Sequence, residues 1–161
     1  MLGSTANQLL LKFEIDREYY GLMLEELTRI IELEHVLQLP KTPPGIYGVA
    51  NYKGKIITIA NIAYIIKKTA PSNLCLGLLN GSYSHIGLMI NDKIETLMVS
   101  KIKINPLSES TINSPGKEIL QGELLIENCM IQIISPNKLY NYLFKEMQFY
   151  LRKEFNLFQQ N

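Results

Sequence analysis

The feature that most constrains the fold is a segment that occurs twice. Residues 48–59 read GVANYKGKIITI, and a looser copy, GELLIENCMIQI, occupies residues 122–133. When the first glycines are superimposed, the turn at 53–54 aligns with a turn at 127–128, and two isoleucines of the following strand coincide. The sequence therefore contains two related β-hairpins.

A shorter echo precedes each hairpin. Residues 20–23 read YGLM, and residues 86–89 read IGLM. The same two signals in the same order predict one small β-unit made twice. A solenoid is not indicated, because solenoids require three or more short repeats.

Composition limits the classes of partner. The 161 residues are 47% hydrophobic, which is ample for a core, and 16 basic against 15 acidic residues give a net charge of +1. There is no basic field to attract nucleic acid and no polybasic run for a membrane surface. The longest apolar stretch, residues 56–66, is well short of the roughly 20 residues that a membrane helix needs. We expect neither nucleic-acid binding nor direct membrane insertion.

Cysteine usage and the N-terminus indicate a cytoplasmic protein. The first residues show no basic region followed by an apolar one, so no signal peptide is expected. Cys75 and Cys129 lie in strand-like runs and do not make a disulfide framework. We expect both to be buried, reduced thiols that pack as small hydrophobic groups.

Hydrophobic periodicity predicts a mainly β chain. Strand patterns with glycine-marked or polar turns recur at short spacing, which is typical of small barrels. The predicted strand regions are residues 8–24, 27–31, 49–59, 74–79, 85–90, 94–99 and 118–134. Residues 105–117 read as a polar, proline-bounded loop, and after Pro136 apolar residues recur every three or four positions, as in an amphipathic helix.

These patterns predict one domain over residues 1–161 that contains two barrels of about five strands. We place the first barrel at residues 8–68, the second at 69–136 and the helix at 137–158.

The sequence offers no group suited to catalysis. The two histidines, His35 and His85, are fifty residues apart, and no metal-binding spacing or glycine-rich phosphate loop is present. Ser84 and His85 are neighbours on a strand and point to opposite faces, which excludes a direct nucleophile–base contact. We expect no catalytic residue, no metal and no cofactor, and interpret the chain as a binding module.

Residues 43–57, PPGIYGVANYKGKII, resemble the signature of the CheW family, and the segments at 20–21 and 87–97 are also similar to their CheW counterparts. The resemblance assigns the motif to Gly48, Asn51, Lys53 and Gly54. It implies two intertwined SH3-like barrels. It also implies a non-enzymatic adaptor in the cytoplasm that couples the tip of a chemoreceptor to a CheA-type histidine kinase.

Two sets of site residues follow from the resemblance. The receptor-binding set is Leu27, Arg29, Ile30 and Lys53, and the kinase-binding set is Ile46, Val49 and Tyr52. Lys53 stands where the family has arginine, and Arg29 stands where many members carry glutamate. Two like charges thus replace an ion pair, which favours an acidic receptor tip.

The C-terminal helix extends past the usual end of the family. Its predicted apolar stripe comprises Leu143, Met147, Leu151, Phe155 and Phe158. The stripe could dock on the protein's own barrel, or its distal residues Leu151, Phe155 and Phe158 could bind a second copy. The alternative function is a CheW-like regulatory module of a pilus, twitching-motility or orphan system that self-associates through this helix.

Overall fold

The structure is a computed structural model that describes residues 7–32, 34–100 and 103–159, apart from the Phe158 side chain. The strands within those ranges are β1 (Asn7–Ile15), β2 (Glu18–Met23), β3 (Leu27–Glu32), β4 (Ile46–Tyr52), β5 (Lys55–Ala60), β6 (Leu74–Leu79), β7 (Ile86–Asn91), β8 (Ile94–Ser100), β9 (Leu120–Ile126) and β10 (Cys129–Ile134). The helices are α1 (Ile62–Ile65), α2 (Glu109–Ile112) and α3 (Pro136–Gln159). None of the described helices is long and apolar enough to span a bilayer.

The strands form two five-stranded sheets, with orders β8-β1-β2-β10-β9 and β3-β6-β7-β5-β4. We call them sheet A and sheet B. They confirm the predicted fold of two five-stranded units followed by a C-terminal helix.

The predicted division into barrels at 8–68 and 69–136 does not describe these sheets, because each sheet takes strands from both ranges. The first two strands of each repeat join the last three strands of the other repeat. The repeats are therefore exchanged within one unit, and neither could form a complete sheet alone.

The exchange is made by two parallel strand pairs. β5 runs parallel to β7 with Ile59 opposite Gly87, and β10 runs parallel to β2 with Ile133 opposite Gly21. The two repeated segments, the hairpin and the short glycine-containing strand, thus contact each other: the hairpin of each repeat pairs with the glycine-containing strand of the other. A Cβ on Gly21 would lie 3.0 Å from Cγ2 of Ile131, so a glycine here lets the neighbouring isoleucines close over the strand.

A second close approach is also duplicated. Leu37 and Asn105 pass beside Gly48 and Gly122 and form antiparallel bridges to the residue that follows each glycine. A Cβ on Gly48 would lie 2.5 Å from the Leu37 carbonyl oxygen, and one on Gly122 would lie 2.7 Å from that of Asn105. Glycine at these two positions is needed because backbone occupies the space of a side chain.

Each sheet encloses its own core. All five strands of sheet A contribute to one apolar cluster, which contains Leu10, Met23, Leu97, Val99, Leu124, Ile131 and Ile133. All five strands of sheet B contribute to a second, which contains Ile31, Ala50, Ile57, Ile59, Leu76, Leu78 and Met89. A third and larger cluster lies between the sheets and includes Phe13, Tyr20, Leu88 and, from α3, Leu139 and Leu143.

The region predicted as a polar loop, 105–117, contains the short helix α2. Its N-terminal cap is Ser108, whose backbone N–H and hydroxyl donate to Oε1 of Glu123 at 2.7 and 3.0 Å. Burial of Glu123 raises the pKa of its carboxyl, but the hydrogen bonds from Thr111 and Ser108 outweigh burial and leave the pKa lowered. A buried carboxylate therefore anchors this segment to β9.

We predict that Gly48→Ala and Gly122→Ala each lower the free energy of unfolding by about 1–3 kcal/mol, since the added methyl group displaces the Leu37 or the Asn105 backbone. Thermal or urea unfolding measures the change. Gly45→Ala is the control, because its Cβ would meet only side-chain atoms at 3.4 Å or more. Equal stability of the three variants would contradict the close approach.

Candidate protein-binding surfaces

Arg29 and Lys53 meet at one tyrosine. β3 and β4 are the two edge strands of sheet B, and Nη1 of Arg29 donates to the Tyr52 hydroxyl at 3.1 Å. Nζ of Lys53 lies 5.3 Å from the centroid of the Tyr52 ring, within the range of a cation–π contact. We call Arg29, Tyr52 and Lys53 the cationic cluster.

The charges of this cluster perturb the tyrosine. The hydrogen bond from Arg29 lowers the pKa of the Tyr52 hydroxyl, and Lys53 acts in the same direction. The same hydrogen bond raises the pKa of Arg29, so the guanidinium stays charged. The cluster therefore presents two positive charges at neutral pH and complements an anionic group.

The other two residues of the predicted receptor-binding set lie beside the cluster on β3. Leu27 is opposite Leu79 and Arg29 is opposite Leu78, so Thr28 forms a bulge in the edge strand. Leu27 and Ile30 are half-buried and pack partly against the core between the sheets. The predicted receptor set thus combines two exposed cations with two partly covered apolar side chains.

Acidic residues border the same surface, which the sequence reasoning missed. A shallow cleft of about 480 Å³ adjoins Arg29 and Tyr52. It is lined by Arg29, Ile30, Ile31, Glu32, Glu34, His35, Asn51 and Tyr52. Glu32 ends β3 and Glu34 follows it in sequence, and no motif places them near Tyr52. The lining of the cleft thus includes one guanidinium, that of Arg29, and the two carboxylates of Glu32 and Glu34.

The predicted kinase-binding set does not form one patch. Ile46 is only 9% exposed and packs in the core between the sheets, so it offers almost no surface to a partner. Val49 is half-buried on β4, and Tyr52 belongs to the cationic cluster. Residues 46, 48 and 50 are buried and residues 47 and 49 are half-buried, so Ile46 and Val49 face opposite sides of β4.

An exposed apolar patch nevertheless surrounds Val49. Leu37 exchanges both backbone hydrogen bonds with Val49, at 2.8 and 2.9 Å, and is 62% exposed. Ile56, opposite Asn51 on β5, is 60% exposed. We call Leu37, Val49 and Ile56 the hairpin patch. The pair Ile56-Ile57 was a usable signal, because neighbouring strand residues face opposite sides and only one of them can be inside.

The motif residues are mainly structural. Lys53 and Gly54 both have positive φ, at 50° and 82°, as a two-residue hairpin turn requires. The side-chain oxygen of Asn51 accepts from the Gly54 N–H at 2.9 Å and fixes this turn. Gly48 admits the Leu37 backbone. Of the four motif residues, Lys53 is the one that also contributes charge to the cationic cluster.

The C-terminal helix is docked along its first half and uncovered along its second. Ser135 caps α3 by accepting from the Lys138 N–H at 3.2 Å, as Asn61 caps α1 at the equivalent point of the first repeat. Leu143 is buried and Met147 packs against the core, whereas Leu151 and Phe155 are 59% and 61% exposed. The third predicted self-association residue, Phe158, has a side chain outside the described part.

No group of three or more metal-binding side chains occurs among the described residues.

The family model of the CheW-like domain matches residues 9–143. The chain belongs to the CheW family. A chemotaxis protein CheW from Klebsiella aerogenes is 24% identical over 142 residues, which cover 86% of this chain and 85% of that protein. The crystal structure of the scaffolding protein TtCheW from Thermoanaerobacter tengcongensis superposes with a TM-score of 0.73 at 20% identity, over 81% of this chain and 85% of that chain. The duplicated SH3-like fold expected of a CheW protein is thereby confirmed.

The CheW match does not extend over the whole of α3. The family model ends at residue 143, within α3, so the uncovered half of the helix lies outside the matched region. The cationic cluster and the hairpin patch both lie inside it.

We predict that Arg29→Gln raises the pKa of the Tyr52 hydroxyl, because the variant removes the charged donor that stabilises the phenolate. The ¹³C shift of the Tyr52 Cζ atom, assigned by comparison with Tyr52→Phe, follows the titration at alkaline pH. Lys117→Gln, an equal loss of charge outside this cluster, should leave the curve in place. An Arg29→Gln curve that superposes on that of the native protein would show that the hydrogen bond does not form in solution.

Proposed function

We propose that this CheW-family protein is a non-enzymatic scaffold adaptor that couples the cytoplasmic tip of a chemoreceptor to a CheA-type histidine kinase. The observation that carries the proposal is that one hairpin, β4–β5, presents two chemically different surfaces. The cationic cluster joins its turn to Arg29 of β3, and the hairpin patch joins its strands to Leu37. Two partners with different recognition chemistry can thus meet the same hairpin.

The cationic cluster suits the receptor. The positive charges of Arg29 and Lys53 favour an anionic partner. Leu27 and Ile30 supply adjoining apolar surface. Electrostatic complementarity of this kind governs partner choice and association rate more than it governs affinity. We infer that the receptor tip that binds here carries carboxylates where it meets Tyr52.

The hairpin patch suits the kinase. Leu37, Val49 and Ile56 are apolar, and their neighbours on the outer face of the hairpin, Asn51 and Thr58, are uncharged. Contact residues at the centre of protein interfaces are depleted in charge in the same way. This assignment replaces Ile46 and Tyr52 of the predicted kinase set with Leu37 and Ile56 and retains Val49.

The uncovered half of α3 favours one alternative. A regulatory CheW-like module of a pilus, twitching-motility or orphan system could use this helix to self-associate without bridging a kinase and a receptor. The two functions differ in whether the protein forms a ternary complex. Co-purification of a CheA-type kinase and a chemoreceptor with the tagged protein supports the adaptor, and recovery of the protein with neither supports the alternative.

For the receptor surface, we predict that the double variant Arg29→Glu, Lys53→Glu binds a chemoreceptor cytoplasmic fragment at least tenfold more weakly at low salt. Its dependence on salt should also be shallower, because salt screens the attraction that the variant removes. Titration calorimetry at several ionic strengths measures both quantities.

The control is Lys93→Glu, Lys117→Glu, which changes the net charge equally at exposed positions outside β3 and β4. Equal weakening by both double variants would assign the effect to overall charge. Unchanged binding in the test variant would exclude the cationic cluster as the receptor site.

For the kinase surface, we predict that Ile56→Asp abolishes binding to the regulatory domain of a CheA-type kinase and leaves the melting temperature nearly unchanged. Ile56 is exposed, so the carboxylate is solvated in the isolated protein and desolvated only in the complex. Pull-down and thermal unfolding are measured on the same sample.

The duplication supplies a matched control, Met130→Asp. Met130 occupies the equivalent position on β10, opposite Leu125, and is 44% exposed. Loss of kinase binding in Met130→Asp with full binding in Ile56→Asp would assign the kinase-binding surface to sheet A.

A further inference from the structure

The uncovered side of α3 carries a regular stripe that differs from the apolar stripe predicted from the sequence. Its positions are 141, 144, 148, 151, 155 and 158, which alternate steps of three and four residues. This spacing is that of positions a and d in a heptad, the seam of a two-helix coiled coil. Asn141, Gln148 and Phe155 take position a, and Phe144 and Leu151 take position d, with residue 158 continuing the series in sequence.

The stripe is separate from the face that docks on the sheets. Leu139, Leu143 and Met147 face the core between the sheets, whereas Asn141, Phe144 and every described side chain further along the stripe are exposed. The stripe therefore lies on a different side of the helix from the docked residues, and its described side chains are open to a second helix.

The polar residues of the stripe determine which helix can pair with it and whether the two helices run parallel or antiparallel. Gln148 lies in the middle, between Phe144 and Leu151. In a parallel, in-register pair each a position faces its own copy, so Gln148 meets Gln148 of a second chain and the two amides can hydrogen-bond. In an antiparallel pair, a positions face d positions, and the amide of Gln148 would be buried against Leu151 of the second chain without a partner.

The flanking charges select the same direction. Lys145 and Arg152 both occupy position e. In an antiparallel pair the e positions face each other, which brings Lys145 of one chain to Arg152 of the other. In a parallel pair, e faces g, so Arg152 meets Met147 and residue 159, a glutamine, meets Glu154. Parallel pairing thus avoids the like-charge contact.

We propose that two copies of this protein associate through a parallel, in-register coiled coil formed by the uncovered side of α3. An identical chain is the occupant because, in one register, each polar side chain at position a meets its own copy and no two like charges face each other. A twofold axis along the helices makes the contact isologous and closed, so it ends at a dimer. The two pairs of sheets then lie on opposite sides of the helices. The cationic cluster is on β3 and β4 and is not part of this contact, so the dimer does not depend on the adaptor function.

The first test is the oligomeric state of the full chain. Sedimentation equilibrium over a range of concentrations should show a reversible monomer–dimer equilibrium, and Phe155→Ser should weaken the dimer at least tenfold. Phe149→Ser is the matched control: Phe149 is 72% exposed on the same helix but lies off the stripe, so its loss should leave the equilibrium unchanged. Far-ultraviolet circular dichroism checks that α3 is retained in both variants.

The second test reports direction. Under mild oxidation, Gln148→Cys should form a disulfide-linked dimer, because in-register pairing places the two new thiols at the twofold axis. Phe149→Cys should not. Peptide mapping separates this link from any that involves Cys75 or Cys129.

Three results would overturn the proposal. They are a native protein that stays monomeric at about 200 µM, equal weakening by Phe155→Ser and Phe149→Ser, and a dimer that persists while Gln148→Cys fails to cross-link.

Discussion

The structure depends on the parallel contact between the second strand of each hairpin and the glycine-containing strand of the other repeat. Ile59 beside Gly87 and Ile133 beside Gly21 connect strands that are far apart in sequence. Each contact completes one sheet with strands from both repeats. The core between the sheets then buries the opposite faces of these strands, so the two sheets and the core form as one cooperative unit. A substitution of either glycine is therefore expected to destabilise both sheets.

The duplicated frame carries different surfaces at its two equivalent ends. Sheet B has Arg29 opposite Leu78 and Lys53 in the hairpin turn, whereas sheet A has Glu95 and Glu127 at the matching register positions. Two positive groups thus correspond to two negative ones. Glu95 is paired with Lys12 at 3.1 Å, so the two ends differ in charge without being simple opposites. Divergence of the repeats thus gives a nearly symmetric fold two chemically different ends.

Local pattern predicted most strands and the long helix, because alternation and the 3.6-residue period are local properties. The exchange of strands between repeats was not readable in the residues themselves, since a strand's pattern does not record which strand it pairs with; the family resemblance supplied it. Ile46 was assigned to a surface from the family resemblance, although Ile46 and Val49 are three residues apart and face opposite sides of the strand. The Arg29–Tyr52 hydrogen bond and the anchoring of Ser108 by Glu123 join residues 23 and 15 positions apart, and such contacts exist only after the sheets have closed.

The long helix shows how docking and exposure can be combined in one element. An isolated helix of this length is marginal in water because its first turn is costly to form. Here the Ser135 cap and the burial of Leu139 and Leu143 fix the first turns against the body. Later turns then add one hydrogen bond per residue to a helix that already exists, so they remain helical although Leu151 and Phe155 face water. The docked half thereby presents the uncovered half in a fixed direction, and less conformational entropy is lost when that half binds.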